Sequence, residues 1–151
     1  MNRPWNAEND AERARLYELV ASWSDEQLAT PMPAGWTVSG VLAHLAFWDA
    51  RAACLIEKWE GGTPPSEADR EWDEVDIIND AAKPLCLALP PRIAADLALR
   101  VATETDARVA SMSDELIQQM QTVGEIFYLA RASHRKEHLD EIAAVLRSRA
   151  R

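Results

Sequence analysis

Apolar residues recur along this chain at helical rather than strand spacing. Between Asn6 and Ser22 the positions Ala11, Ala14, Leu16, Leu19 and Val20, with Trp23 just beyond, predict a first helix. The stretch Ala29-Thr-Pro-Met-Pro-Ala-Gly35 ends that run, since two prolines and a glycine do not continue a helix. A second helix is expected after Thr37, whose hydroxyl suits an N-cap, and should run to about Glu60. Along it Val38, Val41, Leu42, Leu45, Ala52, Ile56 and Trp59 fall on one side. His44 lies at the edge of that apolar arc, between Val41 and Trp48, which places it toward an interior cleft. The run Gly61-Gly-Thr-Pro-Pro-Ser66 then reads as a longer connection.

Trp72 to about Ala82 predicts a short helix, closed by Pro84 and by Pro90-Pro91. The tandem prolines suit the start of another helix, from about Arg92 to Ser111. Its apolar residues Ala95, Leu97, Leu99, Val101 and Ala102 are spread too evenly to fix a buried face. A final helix is expected from roughly Val123 to Arg147, with Phe127, Ala130, Ile142 and Val145 on the side that carries His134 and His138. One internal echo stands out: Ala21-Ser-Trp-Ser-Asp-Glu-Gln-Leu28 matches Ala110-Ser-Met-Ser-Asp-Glu-Leu-Ile117 at five of eight positions. Each copy follows a helix and precedes a histidine-bearing one. Ser-Asp-Glu is a common way to start a helix, and internal pseudo-symmetry is the other reading. Four main helices predict an all-α fold, with a four-helix bundle over residues 1–151 as the simplest single domain.

Composition narrows the function. The chain is 48% apolar, well above a disordered chain, and scarce in glycine. Sixteen Lys and Arg against 25 Asp and Glu give a net charge of -9, which argues against nucleic acid as a partner. No opening stretch reads as a signal and none is long enough to span a bilayer, so the expectation is a cytoplasmic protein with no membrane partner. Cys54 and Cys86 stand in no metal-binding spacing, and free buried thiols are the better reading than a disulfide.

The chemistry rests on three histidines. His134 and His138 are four apart, so on a helix both imidazoles project from one face. Such a pair can clamp a divalent ion, and His44 from another helix would complete a three-nitrogen site with a position left open. The alternative is a set of partly buried histidines satisfied by carboxylates. Glu141 is a candidate second acceptor that orients an imidazole, or a base acting on bound water. Arg131, one turn before His134, is a candidate anion-binding residue, with a salt bridge its more ordinary role. Trp48, one turn from His44, is a candidate pocket wall or core residue, and Trp36 is expected to staple the second helix. Trp23 and Trp59 read as core, and Trp72 as a lid or dimer contact. Acidic pairs such as Asp114-Glu115 read as solvated faces. No nucleophile elbow, phosphate-cradling glycine loop or His-Glu-x-x-His occurs.

The segment Trp36-Thr-Val-Ser-Gly-Val-Leu-Ala-His44-Leu-Ala-Phe-Trp48 resembles the second-helix signature of the DinB/YfiT-like superfamily. His134-Arg-Lys-Glu-His138-Leu-Asp-Glu-Ile142 resembles its fourth-helix signature, and the resemblance extends from the first helix to Leu146. It implies a four-helix bundle with long crossover connections, commonly a homodimer, holding a divalent metal, zinc or nickel, on His44, His134 and His138. Related branches include S-transferases using bacillithiol or mycothiol, a mycothiol-dependent isomerase, and a branch that disarms a genotoxin. The implied function is thiol transfer to electrophilic small molecules, a detoxification chemistry in which a metal-bound thiolate attacks the substrate. Trp48 and Phe127 would then bound the pocket, with Arg131 or Arg51 available for cofactor carboxylates. A metal-dependent hydrolase and a noncatalytic sequestering protein are the alternatives. Gly40 stands where an acidic residue would complete a capping box, which predicts a looser start to the second helix. The chain also lacks the extra C-terminal domain of some mycothiol-dependent members, which weighs against the isomerase more than the transferase.

Overall fold

The computed structural model describes residues 2–69, 74–123 and 129–149. Among them are seven α-helices and no strand: α1 Pro4–Ser22, α2 Asp25–Leu28, α3 Val38–Glu60, α4 Val75–Ala88, α5 Pro91–Ser111, α6 Asp114–Val123 and α7 Arg131–Arg149. None is long and apolar enough to cross a membrane.

Local chemistry sets most of these boundaries. Pro4 and Pro91 open α1 and α5, where a missing N–H costs nothing and the fixed φ suits a helix. Thr37 caps α3 through Oγ1, which accepts the Gly40 N–H at 3.0 Å. The absent acidic residue is no defect here. A Cβ on Gly40 would come within 2.8 Å of Leu87 Cδ2, so the glycine lets α4 lie close to the start of α3. Ser24 and Gln27 form a reciprocal capping box on α2.

Three expectations are corrected. Pro84 does not close α4, which runs on to Ala88. The proline sits on the exposed side, where water can serve the carbonyl it leaves unpaired. The last long helix starts at Arg131, not Val123, because Ser113 opens an extra helix, α6, that ends at Val123. Ser113 Oγ accepts the Leu116 N–H at 3.2 Å there. Cys54 is exposed rather than buried, while Cys86 is buried, and both thiols are free. Trp72 and Phe127 lie outside the described residues.

The long helices α1, α3, α5 and α7 form the bundle. Tyr17 meets Thr103 and Arg92 reaches the Val20 and Trp23 carbonyls, so α1 and α5 are antiparallel. Thr105 bonds the Asp49 carbonyl while Arg108 meets Glu57 and Glu60, so α3 and α5 run parallel. Asn9 bonds Ala132 and Arg15 bonds Asp140, which makes α1 and α7 parallel as well. Of the consecutive long helices, α3 and α5 are therefore the parallel pair, joined by a crossover rather than a tight hairpin, while α1–α3 and α5–α7 are antiparallel.

The buried face of α5 that periodicity left open is a stripe of small residues, Ala94, Ala98 and Ala102, each at most 1% exposed. Small side chains let α3 approach closely, and an alanine stripe carries little hydrophobic signal in the sequence. One apolar cluster gathers Leu16, Val20, Leu42, Leu45, Leu139 and Ile142 from all sides of the bundle. A second joins Trp5, Ile56, Trp59, Ile117, Met120 and Leu129.

Candidate metal centre

Helix α3 presents His44 and α7 presents His134 and His138 across the contact between the two helices. The His44 ring centroid lies 5.2 Å from that of His134 and 5.0 Å from that of His138, and the α7 pair is 4.8 Å apart. One ligand atom from each imidazole falls within 4.8 Å of the others, so the three could hold a metal ion.

Their electrostatics suit that role. Burial, and then the neighbouring His138, push the His44 pKa down to about 4. Burial, and then the Arg131 guanidinium, push that of His134 down to about 2. Both are neutral near pH 7, the form in which an imidazole donates a lone pair to a metal. His138 Nδ1 lies 3.0 Å from Glu141 Oε2, and a carboxylate only accepts, so Nδ1 donates there and Nε2 is left as the nitrogen that could bind a metal. His44 Nδ1 is buried without a hydrogen-bond partner. A buried polar atom left unpaired costs free energy, and a metal ion on the cluster is one way to recover it. The residues present fit a divalent ion.

The cluster opens onto a cavity of about 850 Å³. Trp36, Val41 and Trp48 wall it, together with Val75 from α4 and Val145 from α7. Trp48 donates its Nε1–H to Asn79 at 2.9 Å, which fixes the indole against α4. Lys83, also on α4, donates to the Ala34 carbonyl at 2.5 Å and lies over the Trp36 ring. Ala34 takes a positive φ of 55°, uncommon for a residue with a Cβ, so Lys83 ties down a strained turn at the cavity rim.

The proposed site residues are not all in one place. His44, His134, His138, Glu141, Trp48 and Arg51 line the cavity. The Arg51 guanidinium sits 5.5 Å from the Trp48 ring centroid and donates to the Asp69 carbonyl. Arg131 instead takes the ordinary role of a salt bridge. It is fully buried and donates through Nε to Asp49 Oδ1 at 2.8 Å, with Nη2 3.5 Å from His134 Nδ1.

That bridge belongs to a buried ionic cluster that sequence reading did not foresee. Arg135 donates to Asp49 Oδ2 at 3.0 Å and, through both terminal nitrogens, to Asp106 at 2.8 Å. Arg13 completes the set at 2.6 Å from Asp106. A signal existed: Asp49 interrupts the apolar stripe between Leu45 and Ala52, and a charge in such a stripe needs a buried partner.

Fold and site together define a helical-bundle protein with a three-histidine cluster able to hold a metal ion. The chain belongs to the DinB superfamily, whose sequence profile matches residues 8–142. No curated protein and no solved structure matched it.

Proposed function

We propose that the protein binds a divalent metal, zinc or nickel, on His44, His134 and His138 and uses it to transfer a low-molecular-weight thiol to electrophilic small molecules. The observation that carries this reading is a cluster of three imidazoles opening onto an apolar-walled cavity. A bound dication would lower the pKa of a thiol placed beside it, so that thiolate is the form present near pH 7. The chain's own residues do the rest. Glu141 holds the His138 ring and its tautomer, and this engagement favours an orienting role over that of a base. Trp36 and Trp48 exclude water and seat the apolar part of the electrophile. Arg51, which lines the cavity over the Trp48 ring while donating to the Asp69 carbonyl, is the cation we assign to a carboxylate of a thiol such as bacillithiol or mycothiol. In the transfer a sulfur–carbon bond forms, the leaving group departs with its electron pair, and the thiol proton passes to solvent.

The fold adds a reading of assembly. Ile77 and Leu85 on α4 are 69% and 73% exposed, apolar surface that a homodimer would cover.

Elemental analysis of untagged protein tests the metal, with His44→Ala and His134→Ala for comparison. About one divalent ion per chain is expected, lost in both variants while the helical signal persists. Chloride release from a chloronitrobenzene, with and without added thiol, then tests transfer. Tight stoichiometric binding without turnover would move the reading to a sequestering protein. A wild type that takes up no zinc, nickel or manganese would end it.

A further inference from the structure

The two halves of the chain repeat one plan, and the repeat bears on the metal site. Helices α1 and α5 each lead at once into a serine-capped helix, α2 or α6, and then toward a histidine-bearing one. The clamps between the halves are reciprocal. Arg92 donates to the Trp23 carbonyl and the Asp25 carboxylate, and Arg3 donates to the Met112 carbonyl and the Asp114 carboxylate. The spacing that separates Arg3 from Arg92 also separates Trp23 from Met112 and Asp25 from Asp114. Each half's leading arginine thus holds the other half's capping turn, the contact pattern of a two-fold axis. Ser-Asp-Glu has a local capping job, but capping alone does not produce matched long-range clamps.

In the histidine helices the spacing grows by one residue, and burial keeps step with it. Val41, Leu45, Asp49 and Ala52 are buried on α3, as are their counterparts Arg131, Arg135, Leu139 and Ile142 on α7. The same shift carries His44 onto His134, which face each other where the antiparallel helices cross. It carries Trp48 onto His138. The plan therefore supplies four positions around the cluster, with imidazoles at three and an indole at the fourth.

We propose that Trp48 occupies the place of a fourth histidine, and that the coordination position kept for an exogenous anionic donor, a thiolate or hydroxide, lies on the Trp48 side of the cluster. An indole cannot fill that position itself, because its nitrogen is a donor with no free lone pair. Asn79 accepts the Nε1–H at 2.9 Å, so that nitrogen is already engaged with α4. This inference rests on the metal-binding reading above.

Cobalt(II), whose visible spectrum reports coordination, is the probe, with 2-mercaptoethanol as the thiol. The cobalt-loaded wild type should gain a sulfur-to-cobalt band when thiol is added. Trp48→His should close the site, bind cobalt at least about tenfold tighter, and show no thiol band, as four-nitrogen tetrahedral sites leave nothing open. Trp48→Cys places a thiolate at the same position and should show the band with no thiol added; it decides the matter if the histidine variant does not fold. Folded variants that keep wild-type affinity and wild-type response to thiol would overturn the proposal while leaving the metal site standing. A wild type that binds no cobalt would instead overturn the metal reading itself.

Discussion

Two polar clusters share the contact between α3 and α7, and they are built on opposite principles. Around Asp49 every charge is answered: Arg131 donates to one carboxylate oxygen, Arg135 to the other, and Asp106 accepts two bonds from Arg135. Around His44 stand two further imidazoles, its ring nitrogen Nδ1 has no partner, and a cavity lies alongside. Closed clusters fix geometry, because each member is held by bonds that cannot be exchanged for water without cost. Open ones leave binding capacity unspent. The interleaving on α7 makes the difference useful, since Arg131 and Arg135 alternate with His134 and His138 along one helix. Pairing the arginines with Asp49 sets the placement of α7 on α3, and that placement brings the imidazoles together.

The largest effect should come from breaking the closed cluster. Asp49→Ala leaves two buried guanidinium groups short of a partner, and removing one side of a buried ion pair costs about 3–5 kcal/mol. For a chain of this size each kcal/mol is worth about 2–4 °C, so a fall of roughly 10 °C in melting temperature is expected. Calorimetry checks it, and an unchanged melting point would mean that the cluster is not what holds α7. His44→Ala should behave in the opposite way. The metal-free variant should stay within about 1 kcal/mol of wild type, the usual scale of single substitutions. What it should lose is stabilisation by added zinc, about 2.7 kcal/mol for wild type at a hundredfold excess over Kd. Melting curves with and without zinc separate the two variants.

Much of the open cluster was legible in the sequence, and almost none of the closed one. His134 and His138 were readable because helical spacing is a local rule, and His44 because it borders an apolar arc whose ends Thr37 and Gly61 mark. Asp49, Asp106 and Arg135 were not, because their meaning lies in partners far along the chain. Asp106 is part of α5, where alanines blur the buried face. Pro84 misled for a similar reason: a proline ends a helix only where its lost hydrogen bond matters, and exposure relieves that. Helix α6 is half visible in the sequence, since the Ser113-Asp-Glu115 echo marks a helix start but no apolar periodicity separates that helix from α7. The cavity's α4 wall, with Asn79 and Lys83, depends on packing after a loop and had no local signature.

Glu141 tests how far the open cluster depends on support. The carboxylate accepts from His138 Nδ1, and comparable partners of metal-binding histidines are worth 10–100-fold in metal affinity. Glu141→Gln should therefore weaken zinc binding by about that factor, with Glu141→Asp recovering part of it and the metal-free melting point barely moved. A competition titration with a chromophoric chelator reads the affinity. Equal affinity in all three proteins would show that the His138 tautomer is set elsewhere.

The smallest effect belongs to a third cluster, closed like that of Asp49 but nearer the surface. Asp69 accepts from Lys58, from Trp59 Nε1 at 3.1 Å and from the Ser66 N–H at 3.0 Å. Burial alone would raise its pKa, but the Lys58 and Trp59 hydrogen bonds outweigh it and hold the carboxyl below its ordinary 3.8. With the folded value below the unfolded one, the unfolded chain takes up the proton first as pH falls. Stability contributed above pH 3.8 is therefore lost as pH drops through the folded value. Asp69→Asn should lower the urea midpoint by roughly half a molar near pH 7, and the gap to wild type should narrow at a pH below 3.8. A gap of the same size at both pH values would assign the loss to shape rather than charge.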